Sequence, residues 1–213
     1  MSRPSPALLT PSYWAAACQA LSHADPILGR IISKNGSTAL VLRGDLLTTC
    51  ARAIVGQQIS VKAAANVWSR VTSRFGPLHA ETLSQASPSD FDGLGLSGRK
   101  IDYLRDLAAH FARSPALADD LTLLDDESVI ARLTEIRGIG RWTAEMALIF
   151  ALGRPDVLPL ADLGLMKAVR LHYRHGKPIT PLAAQRLAKR WQPWRSVATW
   201  HLWRSLDPEP VEY

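Results

Sequence analysis

The sequence passes from one helical segment into the next within the residues LTEIRGIGRWTA, which span 133–144. At its centre two glycines, Gly138 and Gly140, flank one apolar residue, Ile139. Glycine tolerates a positive φ and a close backbone approach, so both glycines are expected to shape a tight turn. Ile139 is expected to anchor that turn in the core between the two helices. The pattern predicts a helix-hairpin-helix.

The second helix of the hairpin begins with backbone N–H groups that have no partner inside the helix, which makes its N-terminus a ready anion site. Arg137 and Arg141 add positive charge beside these groups. The alternative is an ordinary connection between helices, in which glycine is common after the last helical residue. The apolar centre of the turn, the two arginines and the basic chain favour phosphate binding.

The composition is that of a folded, basic protein. The 213 residues are 47% hydrophobic, which excludes a disordered chain, and the formal net charge is +6. Nineteen of the 25 basic residues are arginines, whose planar guanidinium suits phosphate groups. This balance fits a polyanionic partner, although a merely basic protein without such a partner would have the same composition.

The sequence also excludes several classes of site. Cys18 and Cys50 are the only cysteines, so a four-cysteine zinc site or iron–sulfur cluster is excluded, and both are expected to be free thiols. No apolar run is long enough to span a bilayer. Residues 1–18 lack the continuous apolar segment of a signal peptide, so none is expected.

Almost every segment shows the apolar spacing of helices, from residues 12–22 to residues 193–206. Asp25, which precedes a proline, is expected to cap the second helix, and Ser60 a long helix further on. The one strand candidate, residues 39–42, is too short to found a sheet. The predicted fold class is therefore all-α.

The predicted organisation is a single unit, residues 1–213, built from two tightly packed helical lobes with a DNA-binding cleft. One lobe is expected over residues 40–150 and contains the hairpin. The other is expected to combine residues 1–39 with residues 151–213. No linker rich in proline, glycine or serine separates two halves of the chain, so two lobes are expected to pack tightly against each other with a cleft between them.

One carboxylate stands out after the hairpin. An apolar extended stretch leads from a Gly/Pro loop to Asp162, and a helix is predicted to begin there. Asp162 is expected to cap that helix, and a helix N-terminus favours the ionised carboxylate. An anion at this place would also stabilise a developing positive charge on a sugar, so both roles are compatible.

Taken together, these segments resemble the helix-hairpin-helix/Gly-Pro/Asp superfamily of DNA glycosylases, specifically the DNA-3-methyladenine glycosylase II subgroup. The resemblance covers about residues 40–206. It rests on five pieces: the hairpin with Leu133–Ile149, the loop ending in Asp162, the Gln57-Gln58-Ile59-Ser60 segment, the Gly95–Lys100 turn, and Arg190–Trp203 with its tryptophans.

The resemblance implies an enzyme that flips a damaged base out of the duplex and hydrolyses its N-glycosidic bond, with Asp162 as the catalytic carboxylate. Gln58 matches best the residue that fills the gap left in the duplex. It also implies a monovalent cation at the hairpin carbonyls, with no metal or cofactor otherwise. The implied DNA-binding residues are Gly138, Ile139, Gly140, Arg141, Thr143, Gln57, Gln58, Ser60, Arg99 and Lys100.

In relatives that also cut the strand, a lysine occupies the position of Trp142, so the resemblance implies a monofunctional glycosylase. The implied base pocket consists of Trp142, Trp203 and Met146. A cationic alkylated purine such as 3-methyladenine or 7-methylguanine is attracted to aromatic faces and already leaves readily. Ala161, Met146 and Leu163 depart from the subgroup's pattern, which implies a more open or differently selective pocket.

Two other functions remain open at this point. One is a non-catalytic helix-hairpin-helix module that binds DNA, and the other is a glycosylase for a deaminated or oxidised base. The expected partner is double-stranded DNA that contains damaged bases. We expect a monomer without an obligatory protein partner or membrane contact, in a bacterial-type cytoplasm and associated with the nucleoid through DNA.

Overall fold

The computed structural model describes residues 10–43 and 45–206. Within these ranges the chain is helical and forms no strand beyond an isolated bridge residue, Leu42. The expected all-α class is confirmed. Residues 1–9 and 207–213 lie outside the described residues. Part of the segment considered for a signal peptide and both ends of the predicted domain fall within them.

The described residues form twelve α-helices and two short 3₁₀ turns, Pro88–Phe91 and Ala188–Trp191. The helices are α1 Trp14–Ala24, α2 Pro26–Asn35, α3 Leu46–Gly56, α4 Val61–Phe75, α5 Ala80–Gln85, α6 Gly98–Arg113, α7 Leu117–Thr122, α8 Asp126–Thr134, α9 Arg141–Phe150, α10 Leu163–Arg174, α11 Pro181–Leu187 and α12 Arg195–Arg204.

Helix ends follow the polar caps that the sequence indicates. The Asp25 carboxylate accepts hydrogen bonds from the N–H groups of Ile27 and Leu28 at the start of α2. Ser60 Oγ accepts from the N–H of Ala63 at the start of α4. Both predicted caps are confirmed, because a side-chain oxygen satisfies N–H groups that have no partner in the first helical turn.

By contacts between residues, the chain divides into two units. The terminal unit comprises residues 10–42 and 153–206 of the described chain, and the central unit comprises residues 43–152 without the undescribed Gly44. No helix among the described residues is long and apolar enough to span a bilayer.

The core of the central unit lies around α9. This helix packs against α3 and α8, and every residue from Thr143 to Phe150 is buried. Because a helix that is covered on all sides cannot shift without loss of packing, the hairpin that precedes it stands on a rigid base.

The terminal unit is built around α12. Its residues Ser196–Trp203 are all buried, and the helix packs against α1, α2 and α10. The contact with α10 brings the C-terminal part of α12 to the beginning of α10, where Asp162 lies. The fold thereby places Trp203 beside that carboxylate.

Candidate nucleic-acid interface and carboxylate site

The hairpin between α8 and α9 turns at Gly138, whose φ is +89°. A Cβ at this position would overlap the ring of Tyr103 in addition to requiring a strained backbone. Ile139 is only 4% exposed and its N–H donates to the carbonyl of Ile136 at 3.0 Å. The predicted roles of Gly138 as the turn and of Ile139 as its buried anchor are confirmed.

Gly140 does not adopt the positive φ that glycine permits. It caps α9 in extended backbone, with φ −95° and ψ 175°. The residue is exposed, and a Cβ built on it would meet no other described residue within 4 Å. Neither backbone conformation nor internal packing requires glycine there, so its absent side chain leaves room for an external group to approach the first turn of α9.

Arg141 is not a freely exposed cation. Its guanidinium pairs with both carboxylate oxygens of Glu127, at 2.9 and 2.5 Å, and its Nε donates to Glu145 at 3.1 Å. The hydrogen bond to Arg141 lowers the pKa of Glu127 and raises that of Arg141 itself. This bidentate pair joins the beginnings of α8 and α9, so among the described residues the cation of the turn without an ion pair is Arg137.

Gln57 and Thr143 hold two segments of the central unit together. Gln57 Nε2 donates to the carbonyl of Gly138 at 2.9 Å and lies 3.1 Å from Thr143 Oγ1. Thr143 is only 1% exposed, which leaves no surface for the DNA contact predicted from its position. Both residues fix the loop after α3 against the hairpin.

Lys100 also acts within the protein. Its ammonium donates to the carbonyls of Val55 at 2.7 Å and Gln57 at 2.9 Å, at the C-terminal end of α3. Desolvation by burial lowers its pKa. A cation suits the negative end of a helix dipole, so Lys100 stabilises the loop after α3 and is not a freely exposed phosphate ligand, whereas its neighbour Arg99 is exposed.

These two adjacent cations provide a matched comparison. Lys100→Met is expected to lower the free energy of unfolding by about 1–3 kcal/mol, because two carbonyls lose a charged donor. Arg99→Met is expected to change stability by less than about 0.5 kcal/mol and to weaken duplex binding. Urea unfolding and fluorescence anisotropy with a labelled duplex measure both quantities. Equal stability of the two variants would contradict the assignment of Lys100.

The segment fixed by Lys100 and Gln57 carries an exposed row of residues. Gln58 adopts a left-handed backbone conformation with φ +59°, which is uncommon for a residue other than glycine. It is exposed, as are Ile59 at 41%, the helix-capping Ser60 and Val61 at 38%. The structure therefore separates Gln57, which anchors the segment, from Gln58, which projects outward.

In the terminal unit, Asp162 is a buried carboxylate that is 4% exposed. Its Oδ1 accepts the N–H of Leu165 at 2.6 Å, which confirms the predicted cap of α10. The same oxygen accepts the indole N–H of Trp203 at 2.7 Å. These two donors fix the orientation of the carboxylate before any ligand arrives.

Gly164 permits this arrangement. A Cβ at that position would lie 3.1 Å from both Asp162 Oδ1 and Trp203 Cδ1. These contacts are tighter than ordinary van der Waals contacts, so the carboxylate or the indole would have to shift by a few tenths of an ångström. Sequence reasoning did not single out Gly164, because its value depends on a tryptophan that lies far along the chain.

The comparisons with known proteins agree with this geometry. Residues 51–193 match the family described as HhH-GPD superfamily base excision DNA repair protein. The chain belongs to this superfamily. The matched region contains the hairpin, the loop after α3 and Asp162.

Individual members of the HhH-GPD superfamily resemble the chain over most of its length. DNA-3-methyladenine glycosylase 1 of Schizosaccharomyces pombe is 35% identical over 72% of this chain and 69% of its own. A solved structure of 3-methyladenine DNA glycosylase from that yeast, in complex with abasic DNA, has a TM-score of 0.80 and 28% identity, covering 93% of this chain and 99% of that one.

A DNA-3-methyladenine glycosidase structure from Bacillus halodurans has a TM-score of 0.76 and 31% identity, covering 94% of this chain and 93% of that one. The chain spans between 38% and 74% of the length of the curated relatives it matches.

The predicted pocket residues of this HhH-GPD protein differ in exposure. Trp142, in the first turn of α9, is partly exposed. Trp203 is 3% exposed, so it offers no open aromatic face for stacking. Its indole N–H instead donates a hydrogen bond to Asp162. Met146 has no exposed surface and belongs to the core of the central unit, so the structure does not present it to a ligand.

The predicted monovalent cation at the hairpin stays a prediction. Backbone carbonyls suit such an ion chemically. The carbonyls of Ile136 and Gly138 each accept one hydrogen bond, from Ile139 and Gln57, and a carbonyl oxygen has a second lone pair. The donor set therefore fits a cation that would help the hairpin to approach a phosphate.

Proposed function

We propose that the protein is a monofunctional DNA glycosylase of base excision repair that removes alkylated purines of the 3-methyladenine and 7-methylguanine type. The observation that carries this proposal is the buried Asp162 carboxylate, oriented by Trp203 and the first turn of α10 in an HhH-GPD chain. A module that only binds DNA has no need of a carboxylate held in this way.

Asp162 acts in the reaction by electrostatic stabilisation. As the bond between sugar and base lengthens, positive charge develops on the sugar, and a fixed anion stabilises that charge without reorganisation. An alkylated purine already carries positive charge, so it leaves as a neutral base and needs no general acid. Asp162 also helps to position the attacking water, and hydrolysis then gives an abasic site.

The partly exposed Trp142 supports the monofunctional assignment. Covalent catalysis with strand cleavage requires an amine at this place, and an indole cannot form a Schiff base with the sugar. Its aromatic face is suited to stack on an extruded cationic base. The enzyme is therefore expected to leave the DNA strand intact after base release.

The DNA contacts follow from the exposed groups of the central unit. The first turn of α9, with Gly140 and the adjacent Arg137, binds a phosphate. The exposed Gln58 enters the space that the flipped nucleotide vacates, while Arg99 and Ser60 contact the backbone. The protein acts as a monomer on chromosomal DNA, within a bacterial-type cytoplasm, and chemistry requires no obligatory partner.

The direct test is base release from DNA methylated in vitro. Wild-type protein is incubated with the DNA, and free 3-methyladenine and 7-methylguanine are separated by chromatography. Release of both bases without strand breaks supports the proposal. The absence of release by a folded, DNA-binding preparation would refute it, and release of uracil or 8-oxoguanine alone would identify a different substrate class.

Trp203→Phe tests the positioning of the carboxylate. The variant keeps an apolar ring but loses the N–H that donates to Asp162, so single-turnover base release is expected to fall about 10- to 30-fold with duplex affinity within twofold. Trp200→Phe in the same helix is the matched control, because Trp200 is also buried and packs edge-on against the ring of Trp14. Equal rates in the two variants would contradict the positioning role.

Duplex binding is expected to weaken as salt rises. Each phosphate contact releases condensed counterions, so log K should fall linearly with log salt, with a slope of about −0.9 for every phosphate neutralised. Anisotropy titrations between about 50 and 200 mM NaCl measure the slope. An affinity independent of salt would contradict an interface based on the hairpin and arginines.

A further inference from the structure

The positive charge of this protein is concentrated in one part of the chain. Residues 163–206 contain nine lysines and arginines and no aspartate or glutamate. The central unit, residues 43–152, contains twelve basic and thirteen acidic residues. The terminal unit therefore provides the basic surface, although the hairpin belongs to the central unit.

Part of this charge surrounds a concavity at the C-terminal end of α10, which we call the arginine pocket. It has a volume of about 700 Å³ and lies wholly within the terminal unit. Its walls come from the end of α10, the loop that follows, α11 and the adjoining 3₁₀ turn. Its lining includes Tyr173, Arg174, Ile179, Arg186, Leu187 and Arg190.

Three arginines line the pocket without a compensating acid. Arg174, Arg186 and Arg190 are exposed, and none of them forms an ion pair with a described residue. No aspartate or glutamate is among the lining residues. Guanidinium groups bind carboxylates through paired hydrogen bonds, so the pocket is complementary to an acidic ligand.

The nearby acid is already fully engaged. Asp25 is 1% exposed and its Oδ2 accepts the hydroxyl of Tyr173 at 2.8 Å and the indole N–H of Trp191 at 2.9 Å. Its other oxygen caps α2. These bonds fix Tyr173 as a rigid wall, and a preformed wall lowers the ordering cost of binding.

The pocket is also partly apolar. Ile179 and Leu187 are half-buried in its lining beside Pro178, and Leu182 on α11 is 56% exposed. Phosphate groups of a duplex gain nothing from such a surface, whereas a peptide can place an aromatic or aliphatic side chain there. Arginine together with apolar anchors is typical of protein–protein interfaces.

We propose that the arginine pocket binds an acidic peptide segment of a partner protein, with one apolar side chain seated among Ile179 and Leu187. α10 has 12 residues and thus separates the pocket from Asp162 at its other end by about 18 Å. The peptide therefore binds without covering the carboxylate. This interaction is independent of the reaction at Asp162 and is not required for it.

The test uses the full-length protein and a fluorescein-labelled peptide probe, Asp-Glu-Asp-Phe-Glu-Asp-Leu-Asp, in anisotropy titrations at about 0.15 M NaCl to screen weak surface attraction. Wild-type protein is expected to bind with a Kd of about 1–50 µM. Arg186→Glu and Arg186→Gln are expected to raise the Kd at least tenfold and about threefold, respectively. The matched control, Arg113→Glu, reverses an exposed arginine on α6 and should change it by less than twofold.

Two further probes separate the alternatives. If an apolar side chain of the peptide packs against Ile179 and Leu187, replacement of Phe and Leu in the peptide by Ser should weaken binding at least fivefold. Thermal unfolding and base release by the Arg186 variants should match wild type, which shows that they are folded. Absence of probe binding to wild type, or equal loss in Arg113→Glu, would overturn the proposal. A selective loss of undamaged-duplex binding in Arg186→Glu, without probe binding, would identify a DNA contact instead.

Discussion

Asp162→Asn is expected to lower the rate of base release from methylated DNA by about 10²–10³-fold, the effect typical of removing one preorganised electrostatic group. The substitution removes the negative charge beside the developing sugar cation. It leaves an amide oxygen of the same size, which can accept the two hydrogen bonds that Asp162 Oδ1 now accepts from Leu165 and Trp203. The loss should therefore appear in the chemical step.

This isosteric change separates catalysis from folding. Since the cap of α10 is retained, the free energy of unfolding should change by less than about 1 kcal/mol, and duplex affinity should change by less than about threefold. Single-turnover kinetics with saturating enzyme, urea unfolding and anisotropy measure the three quantities. Asp119→Asn, at an exposed position on α7, controls for the loss of one carboxylate. Full activity of the Asp162 variant would refute the catalytic assignment.

The parts of the fold that the sequence predicts are those encoded locally. Gly138, Ile139 and the caps Asp25 and Ser60 each act on residues within a few positions, so residue type and spacing are sufficient. α7 is hard to recognise from its sequence, because it has only six residues and two aspartates in its middle obscure the pair of leucines that it buries. A helix that short is stabilised by tertiary burial of Leu117 and Leu121 rather than by propensity.

The side-chain partners could not be predicted in the same way. Arg141 is expected beside a phosphate because of its charge at the turn, and the family resemblance implies a DNA contact for Lys100. In the structure Lys100 binds carbonyls 45 and 43 residues earlier, and Arg141 pairs with Glu127. Sequence identifies which groups carry charge, but the partner that each group meets is decided by tertiary packing.

The carboxylate site likewise combines a local feature that the sequence predicts with a tertiary contact that it does not predict. Asp162 was predicted from its place after the Gly/Pro loop and before a helix, which is local information. The bond from Trp203 joins residues 41 apart and depends on the packing of α12 against α10. Gly164 acquires its role only once that contact exists, so no pattern within the sequence distinguishes it from an ordinary helical glycine.

The surroundings of His201 lead to a large expected effect of pH on the free energy of unfolding. The residue is 1% exposed, and Asn35 Nδ2 donates to its Nδ1 at 3.0 Å and to its carbonyl at 3.1 Å. Its Nε2 lies 3.3 Å from Cys18 Sγ. This network, from which the tautomer is assigned, places the proton on Nε2 and makes Nδ1 an acceptor.

Protonation of Nδ1 would leave its N–H facing the N–H donor of Asn35, and it would place a positive charge in the core. Burial, and to a lesser extent the positive charge of Arg204, lowers the pKa of His201 to about 4 from an ordinary value of 6.5. Between these pH values His201 is protonated in the unfolded chain and stays neutral in the folded protein. The free energy of unfolding therefore falls as pH falls from about 6.5 to 4, by about 3 kcal/mol in all.

Urea unfolding at pH 7.5 and 4.5 tests this prediction by comparing wild type with His201→Gln. Glutamine offers an oxygen to Asn35 and does not titrate, so the difference in unfolding free energy between the two pH values should shrink by about 2–3 kcal/mol. The carboxylates are the same in both proteins, so their contributions to the pH dependence cancel in the comparison. His23→Gln, at an exposed position on α1, is the matched control for the histidine-to-glutamine substitution itself. If His201→Gln loses stability in acid as steeply as wild type, then His201 is not the group that limits stability at low pH.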